Sequence, residues 1–202
     1  MKTIAIVPRR CVVADRQEVR LSLDIRFSDL LLSLNLLPIP LFFGDNLDYQ
    51  KYLTMLRPDG FILSGGHDYW IDDDRRVLEI ACLIYAKKYG LPVLGICRGM
   101  QQINSFFSGK TELISHHVNT RHTIHSIENF LNGIEVNSYH SLGINEDGIG
   151  ADLIPLAWSG DGFVEAFRHT SLPWWSVMWH PEREFKNVEL ARTMLSQVFL
   201  SS

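Results

Sequence analysis

Apolar positions in the first hundred residues alternate between two patterns. Thr3-Ile4-Ala5-Ile6-Val7-Pro8 is a short, mostly apolar run ended by proline, which predicts a buried strand. Leu23, Phe27, Leu30, Leu31 and Leu34 then recur at helical spacing and predict a helix over 22–35. Pro38-Ile39-Pro40-Leu41 reads as extended, and Asn46 to Leu56 as a second amphipathic helix. Gly60-Phe61-Ile62-Leu63-Ser64 is an apolar run stopped by Gly65-Gly66, so a strand feeding a glycine turn. Val77, Ile80, Ala81 and Ile84 mark the inner face of a third helix, with Lys87 and Lys88 suited to its C-terminus and Gly90 to its close. Pro92-Val93-Leu94-Gly95-Ile96 is the next strand, and it runs at once into Met100, Ile103 and Phe107 at helical spacing. Strand alternating with helix predicts an α/β fold: a parallel sheet covered on both faces.

The second half changes character. Short β-like segments follow one another at Ile134–His140, Leu153–Trp158, Phe163–Phe167 and Trp174–Trp179. Asn187 is placed to cap a final helix with Ala191, Leu195 and Val198 on its apolar face. No repeat, low-complexity tract or linker interrupts the chain, so the whole of 1–202 reads as one mixed α/β domain, in line with its length.

Composition narrows the partners. Nineteen Lys and Arg against 23 Asp and Glu leave a net charge of -4, without the basic footprint of a nucleic-acid binder. No apolar run approaches the ~20 residues of a membrane span. Three cysteines are too few for a disulfide scaffold and, with no signal-like segment, predict a reducing cytoplasmic setting.

The chemistry centres on Gly95-Ile96-Cys97-Arg98-Gly99. This is glycine–x–nucleophile–x–glycine between a buried strand and a helix, the context in which the pattern makes a nucleophile elbow. A cysteine there sits at a helix N-terminus, whose partial positive charge favours thiolate. A buried cysteine in a tight turn is the plain alternative. Cys82 falls in an apolar helix and reads as packing; Cys11 falls in a loop. A nucleophilic cysteine needs a base, and the base an orienter. Trp179-His180-Pro181-Glu182 offers both, because His180 and Glu182 can share one side of an extended backbone; Glu184 is a weaker candidate orienter. Ser64-Gly65-Gly66-His67-Asp68 follows another strand and could aim the Gly66 amide at an oxyanion, with the Arg98 amide as second donor. Strands ending at Ser64 and Ile96 would then be neighbours, with the site on their carboxyl rim.

These residues, in this order, resemble the class I glutamine amidotransferase superfamily. The match rests on Gly95-Ile96-Cys97-Arg98-Gly99-Met100-Gln101, Trp179-His180-Pro181-Glu182 and the Ser64-Gly65-Gly66 turn. It implies a flavodoxin-like, mixed and mainly parallel sheet with helices on both faces, and a Cys97–His180–Glu182 triad. Val136-Asn137-Ser138-x-His140 and Val164-Glu165-Ala166-Phe167 resemble the free-standing γ-glutamyl hydrolase branch. Thr120-Arg121-His122 and Met178-Trp179-His180-x-Glu182-Arg183-Glu184 are similar to the γ-glutamyl-CDP-amidate hydrolases of capsule phosphoramidate synthesis. The resemblance implies a small γ-glutamyl substrate held by Gly65, Arg98, Gln101 and the segment Asn137, Ser138, Tyr139, His140 and Ser141, with no cofactor. For Gln101, an exposed helix position is the competing reading.

Arg98 is a cation in the first turn of a helix, which is unfavourable by ~0.3–1 kcal/mol and so needs an anion nearby. That anion is either a substrate carboxylate or phosphate, or a structural partner such as Asp68 or Glu165. Arg121 is a looser phosphate candidate. His116, His117, His122, His125 and His140 crowd one stretch, yet their spacing fits no zinc signature, and no metal is expected. Trp174-Trp175 reads as packing at a sheet edge. Three functions compete: a γ-glutamyl amide hydrolase, a glutaminase subunit that feeds ammonia to a synthetase, and a binding protein with a relic pocket.

Overall fold

The computed structural model describes residues 1–44, 46–66, 73–184 and 188–201. His67, Asp68 and Asn187, each given a role above, lie outside the described residues. In chain order the elements are β1 (Lys2–Val7), β2 (Arg9–Val13), β3 (Glu18–Ser22), α1 (Arg26–Leu32), β4 (Leu36–Pro40), α2 (Tyr49–Leu56), β5 (Gly60–Leu63), α3 (Asp73–Tyr89), β6 (Val93–Ile96) and α4 (Arg98–Phe106). They continue with β7 (Glu112–Leu113), β8 (Val118–Ser126), β9 (Glu135–Tyr139), β10 (Leu142–Gly143), β11 (Leu153–Ser159), β12 (Val164–His169), β13 (Trp174–Val177) and α5 (Val188–Phe199).

Among the described residues, nine strands form one sheet in the order β4-β1-β5-β6-β13-β12-β11-β8-β9. From β4 to β13 every pairing is parallel; from β13 to β9 every pairing is antiparallel. The parallel half has the flavodoxin-like order, and its predicted neighbours are neighbours, with Leu63 of β5 opposite Gly95 of β6.

Alternation along the strands divides the core in two. Ile4, Ile6, Ile62, Leu94 and Ile96 face α1 and α5, where they meet Phe27, Leu31, Leu195 and Val198. Ala5, Val7, Phe61, Leu63 and Val93 face the other way, against Leu53 of α2, Leu78, Cys82 and Leu83 of α3, and Met100 and Ile103 of α4. The sheet is therefore the middle of three layers, and both faces of its parallel half must be apolar, as its near-continuous hydrophobic strands require.

Four expectations are corrected. Val77 and Ile84 of α3 are exposed, and the buried face is Leu78, Cys82, Leu83 and Ala86. The reason is that Arg75 and Glu79, both wholly buried, share that face as an ion pair, so charge sits where the apolar pattern pointed elsewhere. Cys11 lies in β2, which pairs with β3 as a hairpin that the sequence pattern did not announce. Trp174 lies in β13, inside the sheet, with its indole N–H on Leu91 O at 3.1 Å, so it packs the interior and not an edge. Finally, α1 and α2 are shorter than the predicted spans.

Candidate active site on the carboxyl rim

Cys97 follows β6 directly and caps α4. Its φ of 51° and ψ of −105° put a non-glycine residue in a sparsely populated region, the strained turn of a nucleophile elbow, at a cost of ~1–3 kcal/mol. Its backbone is held on both sides: Cys97 N–H donates to Val177 O at 2.8 Å, and its carbonyl accepts from Gln101 N at 3.1 Å. The flanking glycines are steric necessities. A Cβ on Gly99 would collide with the Leu63 carbonyl of β5. One on Gly95 would come within 2.8 Å of both Ile103 Cδ1 and Ser176 Oγ.

His180 follows β13 in the chain and ends on the same rim. Its imidazole is near enough to Cys97 for the two to interact electrostatically. On its other side, Nδ1 and Glu182 Oε1 are 2.7 Å apart. Burial alone would lower the His180 pKa, but the hydrogen bonds and charges of Cys97 and Glu182 outweigh it and raise it to about 9. The imidazole therefore carries its proton at neutral pH. Glu184 is not the orienter: its carboxylate accepts from the Asn137 backbone at 2.8 Å, from Asn137 Nδ2 at 2.6 Å and from Arg121 at 3.1 Å.

The Gly65-Gly66 turn lies against this group. A Cβ on Gly65 would strike the His180 ring, and one on Gly66 would strike the Arg75 guanidinium. Arg75 donates to the carbonyls of Ser64 and Gly65, 3.1 Å for the latter, and so fixes the peptides of the turn from behind. Among the described residues, the backbone N–H groups of Gly66 and Arg98 have no hydrogen-bond partner. Two free donors beside a strained cysteine are what a developing oxyanion requires.

Arg98 finds its anion inside the protein. Its guanidinium is 1% exposed and pairs with Glu79, whose same Oε1 also accepts from Arg75 Nε at 2.9 Å. Of the partners named from sequence, Glu165 is placed among histidines, and Asp68 lies outside the described residues. Arg121 is likewise spent, on Glu135 at 2.6 Å and on Glu184.

A cavity of about 290 Å³ opens over the rim. Its wall includes Arg9, Asp24, Phe27, Gly65, Gly66, Tyr139, His180, Glu182 and Arg183. Tyr139 stands edge-on to His180 with 5.9 Å between ring centres, and the Arg183 guanidinium lies over the Tyr139 ring at 5.1 Å. Cys97, 5% exposed, is not part of this wall and meets it through His180. The remaining residues of the γ-glutamyl assignment have internal partners. Asn137 holds the His180 backbone, Ser138 Oγ donates to His117 O at 2.6 Å, and His140 Nδ1 lies 3.0 Å from Leu142 O. Gln101, buried and not on an exposed helix face, donates to the same Leu142 carbonyl at 3.3 Å, and Ser141 is half-buried. None of these five lines the cavity.

Sequence reasoning missed one cluster. His117, His140 and Glu165 are buried with potential ligand atoms all within 4.8 Å of one another, and His122 stands beside Glu165. Burial pushes the Glu165 carboxyl up, but the neighbouring His122 and His140 outweigh it and hold it below the usual carboxylate range. His117 precedes β8, His122 is in β8, His140 follows β9 and Glu165 is in β12, so the grouping arises from strand pairing and leaves no local motif.

Strand order and cysteine elbow together define a class I glutamine-amidotransferase-like fold. A putative GMP synthase subunit from Thermoplasma acidophilum has it too, with a TM-score of 0.73 over 98% of this chain and 92% of that one, at 22% identity. The Peptidase C26 family model matches residues 15–182, and the chain belongs to this family of hydrolases. Among curated proteins it is 29% identical over 172 residues, 81% of each chain, to a γ-glutamyl-CDP-amidate hydrolase of Campylobacter jejuni. It is also 29% identical over 145 residues to an anthranilate synthase component 2 of Azospirillum brasilense, covering 69% of this chain and 72% of that one.

Proposed function

We propose that this chain hydrolyses a γ-glutamyl amide through Cys97, His180 and Glu182. The observation that carries the reading is the 2.7 Å pairing of His180 Nδ1 with Glu182, on an imidazole that interacts with Cys97, beside two backbone donors that have no partner among the described residues. Cys97 Sγ attacks the γ-carbonyl carbon, and the amides of Gly66 and Arg98 take the oxyanion. His180 gives its proton to the leaving nitrogen as the C–N bond breaks, leaving a glutamyl thioester. Water, giving a proton to His180, attacks that thioester and releases glutamate and the free thiol. Glu182 keeps the imidazole oriented throughout.

For the substrate we propose γ-glutamyl-CDP-amidate, cleaved to glutamate and cytidine diphosphoramidate for capsule polysaccharide modification. The Campylobacter relative supports this, and so do the cations of the cavity wall. Arg9 is exposed with no ion pair among the described residues, and Arg183 is only part-neutralised by Glu182 at 3.6 Å. A diphosphate leaving group asks for such cations. A γ-glutamyl amine brings no diphosphate, only the α-carboxylate that every γ-glutamyl substrate shares.

The test is glutamate release from a panel holding the nucleotide amidate, γ-glutamyl amines and glutamine. The expected result is preference for the nucleotide amidate, with Arg9→Ala raising its KM alone. Preference for γ-glutamyl amines would overturn the substrate and keep the hydrolase. The anthranilate synthase relative favours a second reading, a glutaminase subunit. Glutamine as best substrate, with activity rising on addition of a synthetase, would favour that reading.

A further inference from the structure

We infer that His117, His140 and Glu165, with His122 beside Glu165, form a binding site for a zinc-type divalent transition metal, apart from the cysteine site.

Five potential ligand atoms are buried here without a hydrogen-bond partner: His117 Nδ1, His122 Nε2, His140 Nε2 and both carboxylate oxygens of Glu165. They converge. Glu165 Oε1 lies 3.2 Å from His122 Nε2, 3.6 Å from His140 Nε2 and 3.8 Å from His117 Nδ1. Adjacent ligands on a tetrahedral zinc with arms of ~2.0–2.1 Å stand about 3.4 Å apart, so the spacing is that of a coordination shell. It is not that of a hydrogen-bond network: even the 3.2 Å approach of His122 lacks hydrogen-bond alignment. Leaving five buried polar atoms unsatisfied is costly, and one divalent ion could engage His117, His140 and Glu165 at once.

The far nitrogens of the rings point to the same reading. His140 Nδ1 faces the Leu142 carbonyl at 3.0 Å, and that oxygen can only accept. With its hydrogen on Nδ1, the ring turns a lone pair on Nε2 toward the Glu165 carboxylate, 3.6 Å away. A bound cation between the two would satisfy both. His117 Nε2 likewise faces Asp161 Oδ2 at 3.0 Å, leaving Nδ1 for the site. A carboxylate or carbonyl behind each ligating histidine is the usual support of a metal site, fixing ring tautomer and orientation. Two imidazoles and one carboxylate suit zinc with a position left open, and copper, nickel or iron less selectively.

Such an ion would fasten β8, the turn after β9 and β12 to one another. The Leu142 carbonyl behind His140 also receives Gln101 of α4, so the site would brace the ground between the hairpin and the elbow helix.

The experiment uses the full chain as Cys97→Ser, so that zinc cannot rest on the thiol, stripped with chelator and dialysed against Zn2+ alone. The expected result is one equivalent bound and a Tm that climbs with Zn2+ concentration. Co2+ in place of Zn2+ should give the visible bands of a tetrahedral site. Glu165→Gln should weaken binding by more than 100-fold. Since that variant removes a buried charge and could fail to fold, Asp161→Asn, at a half-exposed side chain, is the second arm; it should weaken binding about 10–100-fold. No stoichiometric zinc on the folded Cys97→Ser protein, or zinc bound equally well by Asp161→Asn, would overturn the proposal. Neither result bears on γ-glutamyl hydrolysis, which is read from glutamate release.

Discussion

Asn137 grips both backbone polar groups of His180. Its Oδ1 accepts from the His180 N–H at 3.0 Å, and its Nδ2 donates to the His180 carbonyl at 2.9 Å. Glu184 in turn holds Asn137, and Arg121 of β8 holds Glu184. The position of the imidazole is thus set by a polar relay that begins at a half-exposed arginine and ends at a residue 3% exposed.

Asn137→Ala should therefore act on rate as well as on stability. It strands the His180 peptide groups and leaves Glu184 short of the Asn137 Nδ2 bond, which costs about 2–3 kcal/mol. For a chain of this size that is a Tm loss of about 5–10 °C. The turnover rate, measured well below the lowered Tm, should fall at least tenfold, with KM changed much less. A wild-type rate would show that the relay does not position His180.

Two glycine substitutions separate steric need from mere sequence pattern. Gly99→Ala drives a methyl into the Leu63 carbonyl, which is backbone and cannot swing aside. The expected cost is about 1–3 kcal/mol with a displaced elbow and a large loss of rate. Gly160→Ala meets nothing within 4 Å and should be within about 0.5 kcal/mol of wild type. Thermal melts of the two proteins decide the point; equal melting temperatures would contradict the packing described for the elbow.

Acid–base behaviour gives a third prediction. His180 is raised to about 9, and its protonated form is the one that donates to the leaving nitrogen. Activity should be maintained through neutral pH and lost as pH rises through about 9. Glu182 is one of the groups that raise His180, so Glu182→Gln should move this alkaline limb downward, toward the ordinary imidazole range. A limb that stays near 9 in that variant would mean the carboxylate does not tune the imidazole.

Much of this site was legible from local sequence. Glycines flanking Cys97 announced the elbow because the crowding they relieve is between adjacent elements, strand β6, helix α4 and strand β5. His180 and Glu182 were expected to share a side of an extended backbone; a 3-10 turn at Pro181–Arg183 brings them together instead. What was not legible depends on pairing between distant strands. The histidines of 116–140 show no apolar period, and the metal-like grouping appears only when β8 and β12 bring His122 and Glu165 within 3.2 Å. The inner face of α3 was misread for a related reason: its Arg75–Glu79 pair is paired and buried, and a charged residue in sequence carries no mark of the partner that allows burial. The β2–β3 hairpin is mostly exposed on both strands, so no alternation recorded it.

The most direct measurement is turnover of a γ-glutamyl amide by Cys97→Ala beside the wild-type chain, with circular dichroism on both. In the proposed reaction Cys97 Sγ forms the thioester, and no other described cysteine is placed to replace it. Cys82 is wholly buried in α3, where burial and then Glu79 push its thiol well up, and Cys11 of β2 is not part of the cavity wall. The predicted result is glutamate release from the wild type, a glutamyl adduct on the Cys97 peptide after rapid quenching, and no release from a folded Cys97→Ala protein. Release at the wild-type rate from that folded variant would contradict the account.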